Sequence, residues 1–281
     1  MPARSMTWSV SGATRSGTSS PADPGWVARG RAGAAALAQR VACTLLAPEC
    51  LVCRQPLPTL TAGPVCPACW HTLPPADAVQ CPVCGVPLAS ARTGGRCGGC
   101  LHATTAIAAL RACGPYARTL RTLVHHMKYD GYASIAVRLG GIACERSRGL
   151  LEGADFVVPV PLHPLRRLRR GFNQSELIAR QLGVPVLRAL RRRRWTRSQT
   201  RLAAPGRQRN VDHAFALAWR PWVRVPGLVR HRVLVLVDDV RTTGATLEAC
   251  ARVLREAGAA EVRALVVARA DLPRRRGPAG R

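Results

Sequence analysis

The run Val233-Leu234-Val235-Leu236-Val237, followed at once by Asp238-Asp239 and then by Val240-Arg241-Thr242-Thr243-Gly244-Ala245-Thr246, leaves this chain few folds to choose from. Five consecutive Val and Leu residues read as a strand covered on both faces, which is the pattern of a parallel sheet. Such a strand ends in the crevice where open α/β sheets bind ligands, so the two carboxylates arrive where chemistry is expected. The small-residue turn behind them offers hydroxyls and free backbone N–H groups, and Thr246 to Arg255 reads as an amphipathic helix stopped by Gly258. A helix start attracts anions through its dipole and its unpaired N–H groups. Carboxylates accept from vicinal hydroxyls, so strand, acid pair, turn and helix together imply a seat for a phosphorylated sugar.

An Asp-Asp strand end alone also suits receiver domains and nucleotidase metal strands; the Thr-Thr-Gly-Ala-Thr tail favours the sugar-phosphate alternative. The segment resembles the phosphoribosyl pyrophosphate (PRPP) motif of type I phosphoribosyltransferases. That resemblance implies that Asp238 and Asp239 hold the ribose hydroxyls, directly or through Mg²⁺ and water. It further implies that Thr242, Thr243, Gly244, Ala245 and Thr246 wrap the 5′-phosphate, with Val240 and Arg241 in the same PRPP-binding segment. Hard oxygen ligands beside a pyrophosphate are a usual seat for Mg²⁺.

A second feature is an internal repeat. Cys50 and Cys53, Cys66 and Cys69, Cys81 and Cys84, and Cys97 and Cys100 form four CxxC pairs, with twelve residues between the pairs of each half and a shift of 31 residues relating the halves. Each pair presents two thiolates to one ion, and two pairs complete a closed Cys₄ site, so the spacing predicts two tandem zinc ribbons. The repeat assigns Cys50, Cys53, Cys66 and Cys69 to one zinc and Cys81, Cys84, Cys97 and Cys100 to the other; an interleaved pairing and an iron–sulfur cluster stay open as alternatives. A disulfide framework needs an oxidising compartment. The first 31 residues lack the apolar core of a signal peptide, and no apolar span reaches membrane length, so a cytoplasmic, reduced protein without membrane insertion is expected. Cys43, Cys113, Cys144 and Cys250 lack such spacing and read as small buried residues.

A chain of 281 residues allows about two domains. Residues 43–103 are expected to form the double ribbon and residues 105–271 an α/β domain, flanked by a disordered arm at 1–40 and a basic tail at 272–281. The pattern of the second domain alternates: strand 107–116, helix 119–127, helix 134–151, strand 156–160, helix 173–182, short strand 184–187, and a final strand 262–269. Alternation of this kind implies a mainly parallel sheet with helices on both faces.

Pro159 to Pro164 leads off a strand into Leu165-Arg166-Arg167-Leu168-Arg169-Arg170-Gly171-Phe172-Asn173-Gln174, and Arg170 is the expected pyrophosphate ligand because Arg gives bidentate, charge-assisted bonds to phosphate. Lys128 is the only lysine among 42 basic residues. Its compact point charge suits a contact to a diphosphate, and its Met-Lys-Tyr setting excludes a Walker A loop.

Taken together, the double ribbon, Met127-Lys128-Tyr129-Asp130-Gly131, the Pro-Val-Pro-Leu-His-Pro to Arg-Gly-Phe-Asn-Gln stretch and the acidic motif resemble the ComF-type competence proteins, over residues 43–270. Gln199-Thr200-Arg201-Leu202, Arg207 and Arg209-Asn210-Val211 add a weaker match. The resemblance implies a type I phosphoribosyltransferase-like domain bearing a double zinc ribbon, with Asp238, Asp239, Lys128 and Arg170 as catalytic residues, and a link to DNA uptake. The formal charge of +27, with Arg188 to Arg197 enclosing Trp195, implies salt-sensitive polyanion binding. Two functions from different classes follow: phosphoribosyl transfer with release of pyrophosphate, or a non-catalytic PRPP-dependent sensor that handles single-stranded DNA with competence proteins. Sheets of this type often pair, so an oligomer is compatible with either.

Overall fold

In the computed structural model, which describes residues 48–59, 63–74, 79–88, 95–193, 214–219 and 224–270, the apolar run becomes a central strand. The elements, in chain order, are α1 (Pro67–His71), β1 (Ala109–Ala112), α2 (Arg118–Tyr129), α3 (Ala133–Arg146), α4 (Arg148–Leu151), β2 (Phe156–Pro159), α5 (Pro164–Arg170), α6 (Gln174–Ala179), β3 (Leu190–Arg192), β4 (Phe215–Leu217), α7 (Val225–Val229), β5 (Val233–Arg241), α8 (Ala245–Glu256) and β6 (Glu261–Arg269). Four strands pair in parallel in the order β1-β6-β5-β2, and β3 and β4 form a separate antiparallel ribbon. Arg194 to Arg197 with Trp195, the weaker match at residues 199–211, Cys43, and the arm and tail lie outside the described residues.

Period-two alternation sends neighbouring side chains of each strand into different cores. Val235, Val237, Leu265 and Val267 meet α2, α3 and α6 through Leu123, Met127, Ile135, Leu139 and Ile178. Leu234, Leu236, Ala264 and Val266 meet α8 and the β3–β4 ribbon through Leu247, Cys250, Leu254, Leu190 and Phe215. Both faces of the sheet are thus covered, and β5 has no wet side until its acidic end. In α2 the buried residues Leu120, Leu123, Val124 and Met127 fall at i, i+3, i+4 and i+7, which fixes the direction in which the end of the helix aims Lys128.

Several elements differ from expectation. The strand read as ending at Val237 continues through the acid pair to Arg241, because β6 keeps pairing with it as far as Arg269. The helix expected over 134–151 breaks at Ser147, whose backbone leaves the helical region, so that α4 turns to bury Leu151. The strand expected at 184–187 makes only one parallel bridge, Val157 to Val186, since Pro185 has no N–H to lend a ladder. Arginine-rich residues 164–170 and 190–192, which carried no secondary-structure expectation, are α5 and β3.

The two ribbons dock differently. The first puts Leu57, Val65, Cys69 and Leu73 into the core shared with Leu120 and Leu123, adds a Thr72–Thr119 hydroxyl contact of 2.7 Å and lays Trp70 beneath Arg138. The second keeps its own small cluster around Cys81, Val83, Cys84 and Cys100 and covers the free edge of β1. There the Gln80 side chain donates to Ala112 O (2.8 Å) and accepts from Ala112 N (3.0 Å), and Leu110 N donates to Pro82 O. An open edge is a template for unwanted pairing, so this ribbon acts as an edge cover. Gly85, at φ +69°, sits so close to the edge that a Cβ there lies 2.7 Å from Leu110 Cδ2 and 3.4 Å from Ala112 Cβ. Gly85→Val is expected to cost about 2 kcal/mol or more in thermal unfolding, through strain and overpacking; an unchanged melting temperature contradicts this docking.

Candidate functional site

The eight ribbon sulfurs gather as two sets of four, Cys50, Cys53, Cys66 and Cys69, and Cys81, Cys84, Cys97 and Cys100, the ligand atoms of each set within 4.8 Å of one another. This is the sequential arrangement; the interleaved one does not occur. Sγ atoms of Cys53 and Cys66 are 3.7 Å apart and those of Cys84 and Cys97 3.6 Å. A zinc–thiolate tetrahedron with bonds of about 2.3 Å has edges of about 3.8 Å, so the cysteines fit the ion. Burial opposes ionisation of Cys50 and Cys81, but backbone N–H groups outweigh it and bring the thiols down to about 6 and about 7. These two thiols lose their protons most readily, whereas burial and neighbouring thiols hold Cys69, Cys84 and Cys100 above their ordinary value, so that those protons leave only as a cation binds.

Asp238 and Asp239 sit near the carboxyl end of β5, between α2 and α6. Lys128, at the end of α2, places Nζ 2.8 Å from Asp239 Oδ1, both side chains largely buried. Burial pulls the Lys128 pKa down, but the Asp239 carboxylate overrides it and the ammonium is held above its ordinary value. Asp238 Oδ1 accepts from Ser175 Oγ at 3.1 Å and from the Asp239 backbone N–H at 2.9 Å. Desolvation and the charge of Asp239 nevertheless push Asp238 up to about 7. An acid pair that repels itself unless a cation is near is a seat for positive charge.

Arg170 ends α5 just before Gly171, whose φ of +75° turns the chain. Its Nη1 donates to Gln174 Oε1 at 3.3 Å, and Gln174 Nε2 reaches Met127 O at 3.5 Å. Burial lowers the Arg170 pKa and Asp239 works against that, which places the guanidinium within the field of the acids. Four expected residues, Asp238, Asp239, Lys128 and Arg170, therefore converge on one spot. Val240 and Arg241 remain on the strand, while Thr242, Thr243 and Gly244 form the bend, and Ala245 and Thr246 open α8. The bend holds its shape through Gly244, at φ +85°, and through Ala245 N donating to Thr243 Oγ1. Arg241 folds back over Gly244, where a Cβ falls 2.8 Å from its Nη2.

Ser175 was not singled out from the sequence. It belongs to a run of three buried polar residues, Gln174, Ser175 and Glu176, set up by Asn173, which caps α6 by accepting from Ser175 N at 3.2 Å. The signal available was a polar triplet after an N-cap residue, beside a basic turn. Glu176 is occupied by Arg180 and Arg188, so part of the arginine block braces α6 internally. The residues just after the second ribbon hold the start of α8: Thr105 Oγ1 and Ala106 N donate to the two oxygens of Glu248, in its first turn, at 2.6 and 2.8 Å.

A phosphoribosyl transferase domain model matches residues 164–278 and a double zinc ribbon domain model residues 41–115. Competence protein F of Haemophilus influenzae is 32% identical over 167 residues, 56% of this chain and 71% of its own. The DNA utilization protein YhgH of Escherichia coli K12 is 37% identical over 158 residues, 52% of this chain and 66% of its own. Competence protein ComFC of Streptococcus pneumoniae is 28% identical over 159 residues, 57% of this chain and 67% of its own. With two four-cysteine ribbons joined to a parallel sheet that carries the acid pair near the carboxyl end of a central strand, the chain belongs to the ComF-type competence family, built from a double zinc ribbon and a phosphoribosyltransferase-like domain.

Proposed function

We propose that this chain binds PRPP with Mg²⁺ at the end of β5 and transfers the phosphoribosyl group to an acceptor, releasing pyrophosphate. The observation that carries the reading is the convergence of Lys128, Ser175 and the two carboxylates above a glycine-hinged bend that opens a helix. Asp238 and Asp239 accept from the 2- and 3-hydroxyls of the pentose, and the N–H and hydroxyl groups from Thr242 to Thr246 hold the 5′-phosphate. Mg²⁺ supplies charge neutralisation at the diphosphate when bound. Lys128, which rests on Asp239, must exchange part of that contact for the pyrophosphate as the sugar hydroxyls reach the acids. Arg170 adds a second cation on the leaving-group side. In the reaction the C1–O bond to pyrophosphate breaks, pyrophosphate leaves with the electron pair, the bond from C1 to the acceptor forms, and the proton of the acceptor passes to the released pyrophosphate. Catalysis on this plan is positioning plus charge stabilisation.

We assign residues 43–103 to the ribbons and 105–271 to the transferase-like unit. Zinc-ready thiolates suit a reduced compartment, and among the described residues no helix is long and apolar enough to cross a membrane. We infer a cytoplasmic site of action and, from the names of the relatives, work on incoming DNA. The charge of +27 favours a second reading, a PRPP-dependent module that handles single strands without chemistry. Measuring PRPP binding and pyrophosphate release side by side separates the two: release with some acceptor supports transfer, binding without release for any acceptor supports the module, and no binding overturns both. Thr246→Val, which removes one hydroxyl from the bend, is expected to weaken PRPP by about tenfold.

A further inference from the structure

We propose that His125, His126 and Asp130 form a third metal site, open on one side, that takes a divalent ion of the zinc, nickel or cobalt class. Among the described residues this is the one group of metal-ligating side chains besides the two four-cysteine sets, and its ligand atoms all lie within 4.8 Å of one another. One ion with bonds of about 2.1 Å holds its ligands about 3.4 to 4.2 Å apart, a difference that small rotations of exposed side chains take up. Two imidazoles with a carboxylate favour late first-row ions, whereas Mg²⁺ and Ca²⁺ prefer oxygen alone. The donor set is thus neither that of the closed thiolate centres nor that of a magnesium seat.

The last turn of α2 sets these ligands up. His126 Nδ1 lies 2.5 Å from Asp130 Oδ2, at the i, i+4 spacing that makes side chains of a helix neighbours, and Asp130 is fixed as the C-cap because its N–H donates to His126 O at 3.0 Å. Tyr132 meets the His126 ring edge-on, with centroids 6.1 Å apart, and Tyr129 lies 4.8 Å from His125. Both imidazoles are therefore steadied before an ion arrives. About 200° around the helix from His126, Lys128 points to Asp239 instead, so the cluster is separate from the acid pair. A His–Asp contact alone is an ordinary surface hydrogen bond; here His125 adds a second imidazole, and both rings line a groove of about 590 Å³ that Val52 of the first ribbon also lines. Three protein ligands leave coordination positions open toward that groove, the mark of an exchangeable ion. Arg118 and Arg121 line it too, but they stand about 10 and 6 Å back along the helix and are exposed, where water and salt screen them. An ion held by residues 125, 126 and 130 clips the turn that carries Lys128.

The test needs no PRPP and does not depend on the pentose reading. Ni²⁺ is titrated by calorimetry into the zinc-loaded full chain, unmodified and as His125→Ala, His126→Ala and Asp130→Asn. One Ni²⁺ per chain is expected beyond the zinc of the two four-cysteine sets, which metal analysis counts before and after. Each substitution is expected to weaken that ion at least about 10- to 100-fold, the scale at which even a residue that only orients a ligand matters. Ni²⁺ is also expected to raise the melting temperature of the unmodified chain and not that of the variants, since an ion bound only by the folded state stabilises it. His125 and Asp130 are exposed and His126 lies outside the core, so the variants keep the fold, and equal melting in the absence of nickel checks this. No ion bound beyond the zinc, displacement of Ni²⁺ by an excess of Mg²⁺, or unchanged affinity in any one of the three variants overturns the three-ligand site.

Discussion

Asp239→Asn is expected to weaken binding of Mg²⁺–PRPP by about two to three orders of magnitude, the scale found when one member of a buried, hydrogen-bonded charge pair is removed. The loss has two sources. The amide no longer supplies a full negative charge to the pentose hydroxyls, and Lys128, 2.8 Å away and largely buried, is left without its counter-charge. The second effect predicts a stability cost of about 1–3 kcal/mol in the ligand-free protein. The double variant Asp239→Asn with Lys128→Met separates them, because replacing both partners of a buried pair by uncharged groups is often nearly neutral. Melting is expected to recover in the double variant while PRPP binding stays lost. Binding that survives Asp239→Asn removes the acid pair from the pocket, and melting that does not recover means that Lys128 has another buried obligation.

Loss of zinc is expected to do different things at the two ribbons. Structural Cys₄ ions contribute on the order of 10 kcal/mol to small modules, comparable to the whole stability of a typical domain, so neither ribbon keeps its shape without its ion. Cys69→Ser removes a ligand from the ribbon whose Leu57, Val65 and Leu73 share the core of α2. Its expected result is one zinc fewer per chain and a large drop in melting temperature for the entire α/β unit, with Lys128 released from its aim. Cys84→Ser also loses one zinc, but its ribbon has a private cluster. Here the sheet should stay folded while the uncovered edge of β1 drives concentration-dependent association. Metal analysis, calorimetry and light scattering read these outcomes, and identical behaviour of the two variants contradicts the division of labour.

Much of this arrangement was legible from local pattern. The strand, acid pair, bend and helix are contiguous, as are the four cysteine pairs, so spacing alone gave the order of these elements and the two sets of four cysteines. What could not be read was set by partners far away in sequence. Ser175 meets Asp238 across 63 residues, and Lys128 meets Asp239 across more than a hundred, although the rarity of lysine hinted at a special role. The pairing of Leu190–Arg192 with Phe215–Leu217 was hidden in the same way, because the charge of the arginine block masks a strand that a distant partner completes, with Arg192 over Phe215. Pro185 shows the reverse case, a local rule that cancelled a strand which apolar composition suggested.

The clasp of Thr105 and Ala106 on Glu248 has a consequence for how this protein can be divided. A chain started after the last ribbon cysteine but before these two residues retains the clasp; one started just beyond them strips the Glu248 carboxylate of both donors. Fragments, fusions and recombinants of this chain therefore have a narrow window for a viable seam, between Cys100 and Thr105.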